Sequence, residues 1–155
     1  MKAIHWIIAA AAIACAEPVQ AAVGDPEVII YRFPGVLDNG SPDLGVATVF
    51  HCTNFSGVTE NIRFVTRSAA GTLLTNMAFG INHLGTLTAS THSTAAYSDA
   101  MTTLNTGNVS QGTTAIAATS INVICTAETI DASTAVPIGV ARRGIRFSPV
   151  PGSQE

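Results

Sequence analysis

The stretch VATVFHC, residues 46–52, alternates along its length, and INVICTAETI, residues 121–130, does the same around a second cysteine. Successive side chains of an extended chain point to opposite faces. The first stretch therefore sets Val46, Thr48, Phe50 and Cys52 on one face and Ala47, Val49 and His51 on the other. The second sets Ile121, Val123 and Cys125 together. Each cysteine shares its face with apolar side chains and so faces a core. His51 and Cys52, although adjacent in sequence, point apart and cannot serve each other as base and nucleophile.

Working outward from these two strands, the rest of the chain reads in the same way. EVIIYRF (27–33) is rich in strand formers and ends at Pro34, and DNGSPDLG (38–45) is dense in turn formers. VTENIRFVTR (58–67) places Ile62 and Phe64 toward the core with Arg63 and Arg67 on the opposite face; SAAG then turns into TLLTNMAF (72–79), and VARRGIRF (140–147) closes the fold. A helical period is suggested only around AAYSDAMTTL (95–104), where Ser98 or Asp99 could cap a short turn. Short strands with turn signals at this spacing predict an all-β fold, a single antiparallel sandwich. Two core-facing cysteines in such a fold are read most simply as one inter-sheet disulfide between Cys52 and Cys125.

The N-terminus sets the compartment in which those cysteines are read. MKAIHWIIAAAAIACAEPVQAAVGD carries one basic residue, Lys2, then an apolar run from Ile4 to about Ala16, then small residues, which is the pattern of a secretory signal peptide. Val19 and Ala21 predict cleavage after residue 21, leaving residues 22–155 as one β-sandwich domain with 148–155 as a flexible tail. A competing reading takes AIAC as a lipobox, with Cys15 lipidated and the chain anchored as a lipoprotein. Either way an even pair of cysteines remains, and an oxidising compartment favours their pairing. The apolar run is shorter than the roughly 20 residues of a membrane-spanning helix, so no membrane span is expected and the location is periplasmic or extracellular.

Charge and composition narrow the function classes. The only lysine, Lys2, and the only tryptophan, Trp6, both fall in the signal. No basic face interleaved with aromatic residues is present, so a nucleic-acid partner is not expected. No P-loop can form without a lysine, and GNVSQG (107–112) departs from Gly-x-Ser-x-Gly. Scattered carboxylates give no acid and base pair, and no cofactor is implied. Asp38 and Asp43, flanking NGSP, could ligate calcium if further oxygens converged on them.

Two sets of residues carry chemistry. His51, His83 and His92 could together hold zinc or copper if turns brought them together, although no ligand spacing links them. Arg142, Arg143 and Arg146 could form an anion-binding patch, because guanidinium groups grip phosphate or carboxylate in a fork. Charged residues on a late strand also serve to block edge-to-edge association. The Ser/Thr-rich stretches TLTASTHSTAAYS (86–98) and TGNVSQGTT (106–114) could form an adaptable contact surface or solvated strand faces and loops.

HCTNFSGVTENIRFVTRSAAGTLLTN, a strand ending in Cys-Thr-Asn followed by a hairpin with a glycine turn, together with NVICTAETIDA, resembles small exported bacterial proteins with an immunoglobulin-like or fibronectin-like sandwich. The resemblance covers roughly residues 45–150. It implies an immunoglobulin-like form of the sandwich and a place in the envelope, in a family whose function is not established. The function expected is that of an exported, non-enzymatic protein acting by surface contacts on a protein or cell-surface partner. The alternative is a metal-binding domain or metalloenzyme built on the three histidines.

Overall fold

The structure is a computed structural model that describes residues 24–146. The signal-peptide reading, the Cys15 lipobox and the 148–155 tail lie outside the described residues. Ten strands follow in order: β1 (Val28–Asn39), β2 (Val46–Asn54), β3 (Glu60–Ser68), β4 (Leu73–Ile81), β5 (Thr86–Ser90), β6 (Met101–Thr103), β7 (Val109–Ala118), β8 (Val123–Asp131), β9 (Gly139–Arg142) and β10 (Ile145–Arg146). One 3-10 turn, Ala95–Tyr97, falls where a short helical turn is expected, with Ser98 at its C-terminal end and no side-chain cap at Thr94.

Two layers result. One runs β4-β3-β7-β1 with β10 on β1, the other β6-β5-β2-β8 with β9 on β8. They are joined where the β1–β2 turn pairs Asp38 with Ala47 and Asn39 with Val46. Phe33 of β1 and Phe64 of β3 both meet Phe50 of β2, with ring centroids 5.6 and 5.7 Å apart, which puts the aromatic core between the layers. The expected all-β sandwich is thus met. Eight of its ladders are antiparallel, but β5 and β6 pair in parallel.

The disulfide joins the two expected cysteines, and its placement corrects the expectation of an inter-sheet bridge. Cys52 and Cys125 stand directly opposite each other on neighbouring strands β2 and β8 of one layer. Their Cα atoms are 4.1 Å apart, the close approach of a directly opposed antiparallel pair. Alternation identifies the face on which each cysteine lies; it carries no information on which layer holds the strand.

Local sequence accounts for the other departures. β1 continues through Pro34 to Asn39 instead of ending there. β10 covers only Tyr31 and Arg32 of β1 and β2 only Asp38 and Asn39, so Pro34 lies where β1 has a single ladder. The register there shifts between Pro34 and Val36, a setting in which a strand tolerates a residue without an N–H. The turn to β2 needs Gly45, at φ 73°, where a Cβ would fall 1.9 Å from the Asn39 carbonyl oxygen. Ile121 precedes β8 and is exposed, so the face expected from it begins at Val123.

The stretch 86–98 is largely interior, whereas in 106–114 Thr106, Val109, Gly112 and Thr114 are buried and Asn108, Ser110 and Gln111 are exposed. β7, from which the polar VSQGTT comes, is the strand between β3 and β1, at the middle of its layer. Thr114 is fully buried and shares a hydrogen bond with Thr66 at 2.8 Å. Gly112 allows the close approach of β3 and β1, because a Cβ there would sit 2.7 Å from the Arg67 carbonyl oxygen. On the other layer Thr91 Oγ1 accepts the Thr48 N–H at 3.1 Å, and the Thr48 hydroxyl donates to the Leu37 carbonyl at 2.8 Å. Buried hydroxyls with partners of this kind avoid the penalty of unpaired polar groups.

Candidate functional site

The three histidines have three separate sets of neighbours. His51 lies on the outward face of β2, half-buried, with Nδ1 3.1 Å from Thr88 Oγ1 and Nε2 3.4 Å from Glu128 Oε1. The 3-10 turn lays Tyr97 against it, ring centroids 4.9 Å apart, and the Tyr97 hydroxyl donates to Glu128 Oε1 at 2.6 Å. Burial first, then that hydrogen bond, pushes the Tyr97 hydroxyl up to about 12. It therefore stays a neutral donor at physiological pH.

His83, in the β4–β5 loop, is exposed and accepts the Gly57 N–H at 3.0 Å. His92 is buried at the far end of β1, where its Nδ1 donates to Asp38 Oδ1 at 2.7 Å. Thr106 donates to the other Asp38 oxygen at 2.7 Å. Asp38 is thus a buried anchor between the β1–β2 turn and the segment from β5 to β7, and not a free turn residue available with Asp43 for calcium. Asp43 is exposed on the turn, with φ 59°. Among the described residues no group of three or more His, Cys, Asp or Glu side chains is placed to hold a metal ion. The structure does not bring His51, His83 and His92 together.

The arginines are divided between the layers. Arg142 on β9 donates through Nε to Thr129 Oγ1 at 2.7 Å, while Arg146 on β10 reaches the Ile121 carbonyl at 2.5 Å and lies 5.8 Å from the Tyr31 ring centroid. Arg143 is exposed in the link where the chain passes from one layer to the other. Two of the three expected anion-binding groups are thus engaged in separate structural contacts. Arg63 grips Glu27 through Nε at 2.5 Å and Nη2 at 3.2 Å.

A different surface draws attention by its chemistry. β9 pairs with β8 on one side, and among the described residues no strand pairs with its other side. Beside it opens a groove of about 590 Å³ whose walls include Leu44, Val46, Ile130, Ile138 and Val140. Leu44, Val136, Ile138 and Val140 are all more than half exposed, Val136 at 70%. An apolar cluster of this kind on a protein surface marks a place of interaction more often than scattered exposed residues do.

The loop that presents this cluster is fixed by its own polar residues. Asp131 accepts from the Ser133 backbone N–H at 2.9 Å and the Ser133 hydroxyl at 2.6 Å, and these bonds hold its carboxyl below the usual range. The Thr134 hydroxyl donates to the Val136 carbonyl at 2.8 Å, and the Asp131 N–H closes the loop on the Ile138 carbonyl at 3.1 Å. Pro137 favours an extended Val136 before it. Sequence reasoning passed over this segment; its signal was the apolar run VPIGV (136–140) directly after a turn and immediately before a charged strand end.

Compared with protein-family models, with curated proteins and with solved structures, the chain has no significant match.

Proposed function

We propose that this chain is an exported, non-enzymatic β-sandwich protein of the bacterial envelope or exterior that acts through surface contacts. The observation that carries the reading is the apolar groove that runs across the ends of β2, β8 and β9. A segment of a partner protein could lie in this groove and place aliphatic side chains against Leu44, Ile138 and Val140. Export is supported by the Cys52–Cys125 disulfide, since such bonds persist in oxidising compartments, and by the signal-like N-terminus. If the chain is instead anchored through Cys15, the same groove would serve at a membrane surface.

The test places a photoactivatable cross-linker at Val136, in cells exporting the full chain, with and without Ile138→Glu and Val140→Glu. Both substitutions are at exposed positions, where changes usually alter stability by less than about 0.5 kcal/mol. The expected result is a discrete adduct that falls at least about tenfold in the double variant, the loss corresponding to about 1.4 kcal/mol of contact energy. Adducts unchanged by the two substitutions, or no adduct beyond background, would contradict the contact role of this groove.

A further inference from the structure

The strand edges of the sandwich are unequal. β6 has three residues, β9 four and β10 two, and the last two carry Arg142 and Arg146. β4 is different: it is nine residues long, pairs with β3 on one side, and among the described residues has no strand on the other. Its sequence, LLTNMAFGI, contains no charge and no proline. Short length, charge and proline are among the devices that keep strand edges from pairing with other chains, and β4 has none of them; its one bulge, at Leu74 between the Thr66–Thr75 and Arg67–Leu73 pairs, leaves Thr75–Ile81 in regular register. No Asp, Glu, Lys or Arg occurs from Ser68 to Ser98, so the turns flanking β4 are uncharged as well.

The core is also left open along this edge. Met77 and Phe79 point inward, opposite Phe64 and Ile62 of β3, yet remain only partly buried against the core cluster.

We infer that β4 is the docking edge for a second copy of this chain, the two β4 strands pairing antiparallel about a twofold axis. The pleat restricts the register. Inward side chains must lie opposite inward side chains, so the axis passes beside a residue and not between two. The axis that engages the whole regular run Thr75–Ile81 passes beside Ala78, setting Ala78 opposite its counterpart, Met77 opposite the partner's Phe79, and Thr75 opposite the partner's Ile81. Such pairing supplies about seven new backbone hydrogen bonds and covers both copies' Met77 and Phe79 at once. A second copy fits better than a different chain. The uncharged edge offers nothing to select a foreign partner by charge, and it lacks the like-charge opposition that self-pairing about a twofold axis would otherwise meet. The inference rests on the reading of the domain as one that works by surface contacts, and adds to the β9 groove a second surface for self-association.

The test is sedimentation of the exported protein from low to high micromolar concentration, combined with amide exchange of β4. Expected are a reversible dimer, slower exchange of residues 75–81 as concentration rises, and a dissociation constant raised at least about tenfold by Ala78→Lys, which sets two like charges opposite each other. Ala78 is exposed on the outer face of β4, so Ala78→Ser should leave the dimer intact. A chain that stays monomeric throughout, or a dimer whose β4 exchange does not respond to concentration, overturns the inference; this exchange measurement decides the matter even if Ala78→Lys fails to fold. Adducts at the β9 groove are read separately, so a monomer that still forms them removes only the self-pairing.

Discussion

Phe50→Ala is expected to cost the domain about 3–5 kcal/mol, the range found when a large aromatic is removed from a close-packed core. Phe50 is fully buried on β2, and its ring meets Phe33 and Phe64 from the opposite layer at 5.6 and 5.7 Å. It is the side chain through which the layers touch most directly. Removing it deletes the transfer energy of the ring, its edge and tilted contacts with two aromatics, and leaves a cavity whose walls include Phe33 of β1 and Phe64 of β3. Those walls cannot collapse without breaking ladders, so the cost should fall in the upper part of the range. For a domain of this size each kcal/mol moves the melting temperature by about 3–5 °C, so calorimetry should show a drop of about 10–20 °C. A loss under about 1.5 kcal/mol, the scale of a tolerated hydrophobic swap, would show that Phe50 is not the centre of the interface between the layers.

Removal of the disulfide is the second large effect. Cys52 and Cys125 are separated by 73 positions, and cross-linking a loop of this length restricts the unfolded chain by about 4 kcal/mol on the chain-entropy account. The double variant Cys52→Ala with Cys125→Ala should therefore lose about 2–5 kcal/mol in denaturant unfolding. The native ladder between β2 and β8 runs through nine residue pairs from Val46/Asp131 to Asn54/Val123, so the fold should survive the substitution at room temperature. Cys52 is fully buried and Cys125 nearly so, and reduction should consequently proceed only after unfolding. Rapid reduction of the folded protein would show that the β2–β8 centre opens locally.

What could be read in the sequence follows from what alternation encodes. β2 alternates over Phe50–Asn54 and β8 over Val123–Ala127, and the inward faces assigned to Phe50, Cys52, Val123 and Cys125 are those observed, while Ala47 and Val49 on the other face of β2 are buried as well. β3 was legible for the same reason, through Ile62 and Phe64. The bridge was placed between facing sheets because a face does not specify a neighbour; strand order is set by connections of many residues, which no local pattern records. β7 was hidden because its first half is Ser, Gln, Gly and Thr, and its buried hydroxyls are satisfied by Thr66 across the sheet and not by any neighbour in sequence.

The polar interior was equally illegible. Asp38, His92 and Thr106 are brought together over separations of 54 and 68 residues, and read singly each is an ordinary loop residue. The groove beside β9 was missed for the opposite reason. Val136, Ile138 and Val140 look like core residues, and only the position of β9 at the edge of its layer leaves them exposed.

The intact mass of the native protein recovered from cell fractions, measured before and after reduction, decides whether the chain is exported and closed by one bridge outside the cytoplasm. Expected are recovery outside the cytoplasm, a chain beginning at Ala22, and a gain of two hydrogens on reduction. A chain beginning at Met1, found in the cytoplasm with both thiols free, would contradict export and the bridge alike.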